Sequence, residues 1–457
     1  MKHLISDRTL LEETAGAEVR IVPPERHRKN PVIRAEFPWE GRDVSLGSSL
    51  LYDPQARLFK AWYLVRDNYG VGPFRAALCY AESQDGLSWR KPFLGIIDYK
   101  GTSENNLVFQ LPNGGPISSP CVFLEKETED ENRFKMILWG RPRERSAQGL
   151  CVADSNDGRR WTLREGCPFY TDGTDVLRAC PHPDGKGVIL FQTEETPVPR
   201  FEKYVRDERP GVMRYISRRE SVDYERWTER KTVLMPDHDD ASDVQFLAMA
   251  GYPWEGTWQG LVGVLHTEDQ KCDIGLSMGK DLRSWTREPS LREPFLPMGG
   301  DATFDGGGVE PAGAPLLCVG DQLLTYYTGY DAPRDVAGRI GAIGVARSRR
   351  DGFACLSASD DVGFALSRPL LVTGDNLHVN VNSIAGYVIV EALDEEAKPI
   401  EALGRQNAVP LTQDSLNCKA LWKDGTGLAS LVGKRIRLRF WLQRARLYSF
   451  WFSKGAL

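Results

Sequence analysis

The sequence predicts an all-β chain: a five-bladed β-propeller followed by a C-terminal β-sandwich. Three observations lead there. A strand–turn–Trp motif recurs five times, roughly every 60–70 residues. Two further strand-like runs precede each copy. After Ser357 the repeat stops and gives way to short alternating strands.

The first copy of the motif is Tyr80-Ala81-Glu82-Ser83-Gln84-Asp85-Gly86-Leu87-Ser88-Trp89, and the second is Val152-Ala153-Asp154-Ser155-Asn156-Asp157-Gly158-Arg159-Arg160-Trp161. The third ends at Asp223-Tyr224-Glu225-Arg226-Trp227 and the fourth at Asp281-Leu282-Arg283-Ser284-Trp285. The fifth, Val345 to Phe353, is degenerate, with Cys355 where the Trp would fall. The chemistry of the motif is that of a strand entering a tight turn. Asp bonds its own backbone, Gly accepts a positive φ, and the Trp covers the space between neighbouring sheets. These Asp and Trp residues read as structural.

The runs upstream complete each unit. They are Ser49–Tyr52 and Leu58–Tyr63 in the first, Cys121–Leu124 and Phe134–Trp139 in the second, and Val176–Cys180 and Gly187–Phe191 in the third. The fourth has Val244–Ala248 and Gln259–Leu265, and the fifth Ala314–Cys318 and Gln322–Tyr327. With an outer strand after the motif, each unit is a four-stranded meander, and radial repetition of such units protects their edges. No helical pattern separates the strands, which argues against a parallel α/β fold. Residues 1–357 are assigned to the propeller and 358–457 to the sandwich. The latter is marked by Leu377–Val381, Tyr387–Leu393, Ile436–Leu442 and Leu447–Phe452.

Composition excludes several classes. Net charge is −5 without a basic block, which argues against nucleic acid as partner. No apolar stretch is long enough to span a membrane, and the N-terminus lacks the apolar region of a signal peptide. Nine scattered Cys without a C-x-x-C pair fit free thiols, so a cytoplasmic location is expected, with the oligomeric state open. The acidic run Glu125–Glu131 reads as an exposed hairpin loop. The 12 Trp and 15 Tyr suit a sugar binder, and equally a β-rich core.

The repeated Ser-x-Asp-Gly-x-x-Trp pattern resembles the five-bladed glycoside hydrolases of families 32 and 43. The ending Gly433-Lys434-Arg435-Ile436-Arg437-Leu438-Arg439-Phe440, with Ala445-Arg446-Leu447-Tyr448-Ser449-Phe450, is similar to family-32-like bacterial proteins with a following sandwich. The resemblance implies hydrolysis of a glycosidic bond, with furanosides in scope, a carbohydrate as partner and no cofactor. A glycoside phosphorylase and a non-catalytic carbohydrate-binding protein on the same fold are the alternatives.

The resemblance is architectural, so site residues are sought by placement. The first strand of each unit would line a central funnel, and glycoside hydrolysis needs two carboxyl groups flanking the bond. Asp175, Asp243 and Glu310 stand near the starts of the inner strands of the third, fourth and fifth units, and are the candidate catalytic residues. The first unit offers Glu40 and Asp43, and the second offers no acid at Ile117-Ser118-Ser119-Pro120. Arg42, Asp43, Trp62, Arg178, His182, His266 and Asp305 are candidates for binding substrate, and Arg178 with Arg42 for a phosphate in the phosphorylase alternative. Gly306-Gly307-Gly308 is expected to let a ligand approach the backbone beside Glu310. No metal is expected: the six His are dispersed, and Asp237-His238-Asp239-Asp240 lacks the spacing of a dedicated Ca²⁺ loop.

Overall fold

The motif turns form as their chemistry dictates. Ser83 Oγ accepts the Gly86 N–H at 2.9 Å, and Asp85 Oδ1 accepts those of Leu87 and Ser88 at 2.8 and 2.7 Å. Asp157, Asp223 and Asp281 each take the two equivalent N–H groups of their own turns. Gly86 and Gly158 have φ of 72° and 73°, and Tyr224 fills the same conformation in the third turn at 68°. The computed structural model describes residues 2–47, 49–66, 76–125, 133–197, 211–313 and 316–455. The acidic run after Glu125, and Ala314 and Pro315 of the fifth inner strand, lie outside the described residues.

Five antiparallel sheets follow one another along the chain. The second is Ile117–Leu124, Phe134–Gly140, Gly149–Ser155 and Thr162–Leu163. The third is Leu177–Pro181, Val188–Pro197, Val212–Ser221 and Lys231–Leu234, and the fourth Val244–Trp254, Thr257–His266, Lys271–Gly279 and Trp285–Thr286. In the first sheet, Val44–Ser45 and Leu50–Asp53 both pair with Leu58–Arg66, followed by Ala76–Ser83 and Leu107–Phe109. The fifth holds Gly308–Pro311, Leu317–Val319, Gln322–Tyr330 and Gly341–Arg349, and its outer strand is Glu25–Arg26 from near the N-terminus. The motif strand is third in every meander, as the sequence predicts. Each sheet packs against the next, and the fifth packs against the first.

The aromatic residues fill the spaces between sheets. Trp161 packs edge-on to Trp62 of the preceding sheet, Trp285 to Phe191, and Trp89 to Tyr326 of the fifth. The Trp62 Nε1–H bonds Gly158 O, and the Tyr326 hydroxyl bonds Gly86 O in the same way across the fifth-to-first junction.

Two further sheets carry the C-terminal strands. One joins Glu18–Ile21, Ala354–Ala358, Ala445–Ser453, Asn376–Asn382 and Asp414–Lys419, with Lys2–Leu4 also on Ala445–Ser453. The other joins Leu11–Ala15, Gly363–Ser367, Arg435–Gln443 and Leu370–Leu371, with Tyr387–Leu393 also on Arg435–Gln443. Arg435–Gln443 alternates strictly, burying Ile436, Leu438, Phe440 and Leu442, the period-2 pattern of a strand with one face in a core. These residues share one hydrophobic cluster with Val379, Val381, Leu447 and Phe450 of the other sheet, continuous with Leu276 and Leu323 of the fourth and fifth sheets.

The division expected at 357/358 is crossed by the chain itself. Residues 2–4, 11–15 and 18–21 pair with C-terminal strands, and Ala354–Ala358 straddles the boundary. Asp351, from the degenerate fifth motif, fastens the junction: it accepts Lys2 Nζ at 3.1 Å, Trp254 Nε1 at 3.0 Å and Ser449 Oγ at 2.8 Å. Among the described residues there is no α-helix, and no helix is long and apolar enough to cross a membrane.

Acid lability follows from the turns. All four turn carboxyls are held below the ordinary Asp value, Asp85 at about 2. In Asp85 and Asp157 partial burial pushes upward and is outweighed by the backbone donors; in Asp223 and Asp281 those donors dominate. A depressed folded pKa stabilises above the unfolded value, about 3.9, and that stabilisation is lost as pH falls through the folded value. The urea midpoint is therefore expected to drop as pH is lowered from about 4 toward 2. Asp85→Asn should flatten part of that fall, and an unchanged pH profile in the variant would count against the turn's role.

Candidate active site

The inner strands converge closely. A Cβ on Gly47 of the first sheet would run into the Pro120 carbonyl of the second. The Leu46 N–H donates to Thr328 Oγ1 of the fifth sheet at 2.9 Å, and the Gly313 N–H donates to Gly47 O at 3.0 Å. Arg178 reaches from the third sheet to the fifth, donating Nε–H to Pro311 O at 2.8 Å and Nη1–H to Leu177 O at 2.9 Å. The bond thus joins two sheets between which the fourth lies in chain order. Ser119, at a bulge with φ of 47°, turns Oγ toward the Leu177 N–H at 3.3 Å and Arg178 Nη1 at 3.5 Å.

Beside this bond lies a cavity of about 160 Å³ lined from the first, second, third and fifth sheets. Its acids are Asp175 and Glu310; its bases are Arg66, Arg178, Arg334 and Arg339. Ser45, Ser118, Ser119, Thr328 and Tyr330 add hydroxyls. The Glu310 side chain is 14% exposed, with Arg339 Nη2 at 3.9 Å and Arg178 Nη2 at 4.0 Å. Asp175 is exposed, with no ion pair or hydrogen bond to its carboxylate among the described residues. Arg339 stacks on the Tyr330 ring at 3.8 Å. Burial works against the charge of Arg339, but Tyr330, Glu310 and Asp43 outweigh it and hold the guanidinium above its ordinary value. Burial, followed by the nearby Glu310, pushes the Tyr330 hydroxyl up.

Two of the three expected carboxylates thus share a cavity, and Arg178 joins them beside Glu310. Asp243 does not line it. It sits 3.7 Å from Nδ1 of His266, the residue opposite Val244 on the adjacent strand, and His266 Nε2 meets Asp273 at 2.9 Å. The bond to Asp273 outweighs burial and holds His266 above its ordinary pKa. His182 follows the inner strand that Asp175 precedes, so it stands at the opposite end, bound to Asp184 at 2.6 Å. Trp62 is 0% exposed and offers no face to a sugar; it packs against Tyr80, Phe134 and Trp161. Asp305 is buried and anchors the outer strand of the fifth sheet, accepting Arg26 Nε at 2.7 Å and the Tyr327 hydroxyl at 2.9 Å. Arg42 is exposed and outside the cavity lining, and Asp43 acts behind it by accepting Arg66 Nη1 at 2.9 Å.

The glycine run serves the protein backbone. A Cβ on Gly307 would overlap Ala332, so this glycine seats the 331–340 segment that carries Arg334 and Arg339, while one on Gly306 would meet Gly300 O in the preceding loop. Those two arginines and Arg66 escaped the sequence reading, because none stands at an inner-strand start. A larger cavity of about 300 Å³ lies between the outer strands of the third and fourth sheets, lined by Val233, Leu234, Trp285 and Asp237. Of the acids that line it, Asp237 accepts Arg292 at 2.8 Å, and Asp240, just outside the lining, pairs with Arg287 and Arg292. In the same stretch Asp237, His238 and Asp239 are exposed and bring one possible ligand atom each within 4.8 Å of one another, with one Asp237 oxygen already paired to Arg292.

No family model matches the chain, and no curated protein matches it. Solved structures similar to it include a putative glycosidase from Bacteroides thetaiotaomicron VPI-5482 (16% identity, TM-score 0.47, covering 71% of this chain and 96% of that one). Another comes from work describing a GH130 family of mannoside phosphorylases that contains glycoside hydrolases targeting β-1,2 mannosidic linkages in Candida mannan (16%, 0.48, 72% and 94%). A third is a thermostable family-43 glycoside hydrolase (13%, 0.48, 72% and 95%).

Proposed function

We propose that this chain is a glycoside-cleaving enzyme in which Asp175 and Glu310 form the acid–base pair. The observation that carries the reading is their joint presence in one cavity beside the bond from Arg178 to Pro311. Carboxyls supplied by two different sheets can flank a glycosidic bond, one giving a proton to the departing oxygen while the other activates water or attacks the anomeric carbon. The hydroxyls of Ser118, Ser119 and Thr328 suit the hydroxyls of a sugar ring.

We read the five sheets as the blades of a propeller closed by Glu25–Arg26, and the two remaining sheets as a sandwich completed by the N-terminal strands. In this reading the second unit is residues 358–457 together with residues 2–21. A furanoside is the first substrate class to test. None of the nine cysteines is joined in a disulfide and eight are buried, which favours a reducing compartment.

The test is release of reducing sugar from a panel of furanosides and pyranosides by wild-type protein and by Glu310→Gln. Release by the wild type and its loss in the variant are expected. Sugar binding without release from any member of the panel would replace an enzyme with a binding protein.

A further inference from the structure

We propose that the same cavity contains an oxyanion subsite, centred on Arg334 and completed by Arg339, so that the substrate or co-substrate carries a phosphate or carboxylate. The inference rests on the reading above only for how the anion is used; the binding itself does not need turnover.

Charge is the first argument. Four guanidiniums line the cavity against two carboxylates. Arg66 is matched by Asp43, and Arg178 spends two donors on backbone carbonyls. Glu310 lies 3.9–4.0 Å from Arg339 and Arg178, beyond a direct hydrogen bond to either. The Arg334 guanidinium has no ion pair or hydrogen bond among the described residues. A guanidinium is always charged, and its fork of N–H donors matches phosphate and carboxylate oxygens.

Construction is the second. The segment bearing both arginines is fixed at its base by Asp331, whose Oδ1 accepts the Ile340 N–H at 2.7 Å. It is fixed at its middle by the Arg334 N–H on Gln270 O at 2.9 Å, and Gly307 leaves Ala332 just enough room to seat. Arg339 is oriented by its stack on Tyr330. A neutral sugar would be served by the hydroxyls and carboxylates already present; two pre-placed guanidiniums on a braced segment answer to negative charge.

The anion has two possible sources. Carried on the sugar, it selects an acidic or phosphorylated glycoside. As free phosphate, it takes the place of water: the glycosidic C–O bond breaks, the departing oxygen receives the proton of the acid carboxyl, and a phosphate oxygen bonds the anomeric carbon to give a glycosyl phosphate.

Calorimetric titration of the full chain with inorganic phosphate, glucuronate and glucose, at constant ionic strength, tests this. Phosphate or glucuronate is expected to bind and glucose to bind far more weakly. Arg334→Gln should weaken the anion roughly 10- to 100-fold, the worth of a charge-assisted hydrogen bond. Arg226→Gln, on an exposed turn, should leave it unchanged, and melting temperatures confirm that both variants are folded. Binding of phosphate with faster sugar release in its presence identifies the free anion; binding of glucuronate alone identifies a substrate-borne one. If neither anion binds, or if R334Q binds as tightly as wild type, the subsite does not exist. That outcome leaves the acid–base pair untouched, and an inactive pair leaves the binding result standing.

Discussion

Glu310→Gln and Asp175→Asn are each expected to lower turnover roughly 10²–10⁴-fold, the usual scale for a positioned acid or base. Both substitutions keep shape and remove the proton relay. Asp175 makes no bond that the fold needs, and Glu310 sits near two guanidiniums without a direct hydrogen bond to either. Melting temperature should therefore move little. The pH–rate profile separates their roles: loss of the general acid removes the limb at high pH, and loss of the base removes the limb at low pH. Asp85→Asn is the contrasting variant, since Asp85 only closes a turn and should alter stability without altering turnover. Near-normal turnover in both cavity variants on a true substrate would dispose of the pair.

What the sequence reveals, and what it hides, follows from the range of the interactions. The motif turns are local: Asp85 bonds residues two and three positions on, so spacing alone exposes them. Placement near the inner strands also brings Asp175 and Glu310 to one cavity. Asp243 stands just before its inner strand as Asp175 does, but His266, opposite the next residue Val244, engages it. Strand position does not show which partner waits opposite. Arg334 and Arg339 lie in a connection between strands, where no periodicity points to the cavity. The N-terminal strands pair with residues hundreds of positions away, as Leu11 does with Ser367, and no local pattern carries that information. Trp62 illustrates a further limit. Its strand, Leu58–Arg66, is buried on both faces, so an aromatic residue there looks the same whether it meets a sugar or another sheet.

Glu40 gives the largest expected loss of stability. It is 0% exposed, and its carboxylate is surrounded by donors. Lys91 Nζ stands 2.9 Å away, the Glu36 and Phe37 N–H groups donate at 2.7 and 3.0 Å, and the Tyr63 hydroxyl donates to the other oxygen. Tyr63 in turn accepts Asn106 Nδ2 at 2.7 Å, and Asn106 accepts the Trp39 Nε1–H at 2.7 Å. The network fastens the segment around residues 36–41 to the first sheet. Glu40→Ala would leave a lysine that is only 6% exposed facing a hole, together with two orphaned backbone donors. Breaking a buried pair from one side costs about 3–5 kcal/mol, because the remaining charge loses its compensation. Glu36, at 3.2 Å from Lys91 but half exposed, recovers only part of that. The urea midpoint at neutral pH should fall accordingly, and Glu40→Gln, which keeps the size and one accepting oxygen, should lie between alanine and wild type. Because Glu40 is sealed from the cavity, E40Q should turn over substrate normally. A variant that kept its midpoint and lost activity by orders of magnitude would make Glu40, rather than Glu310 or Asp175, a member of the catalytic pair.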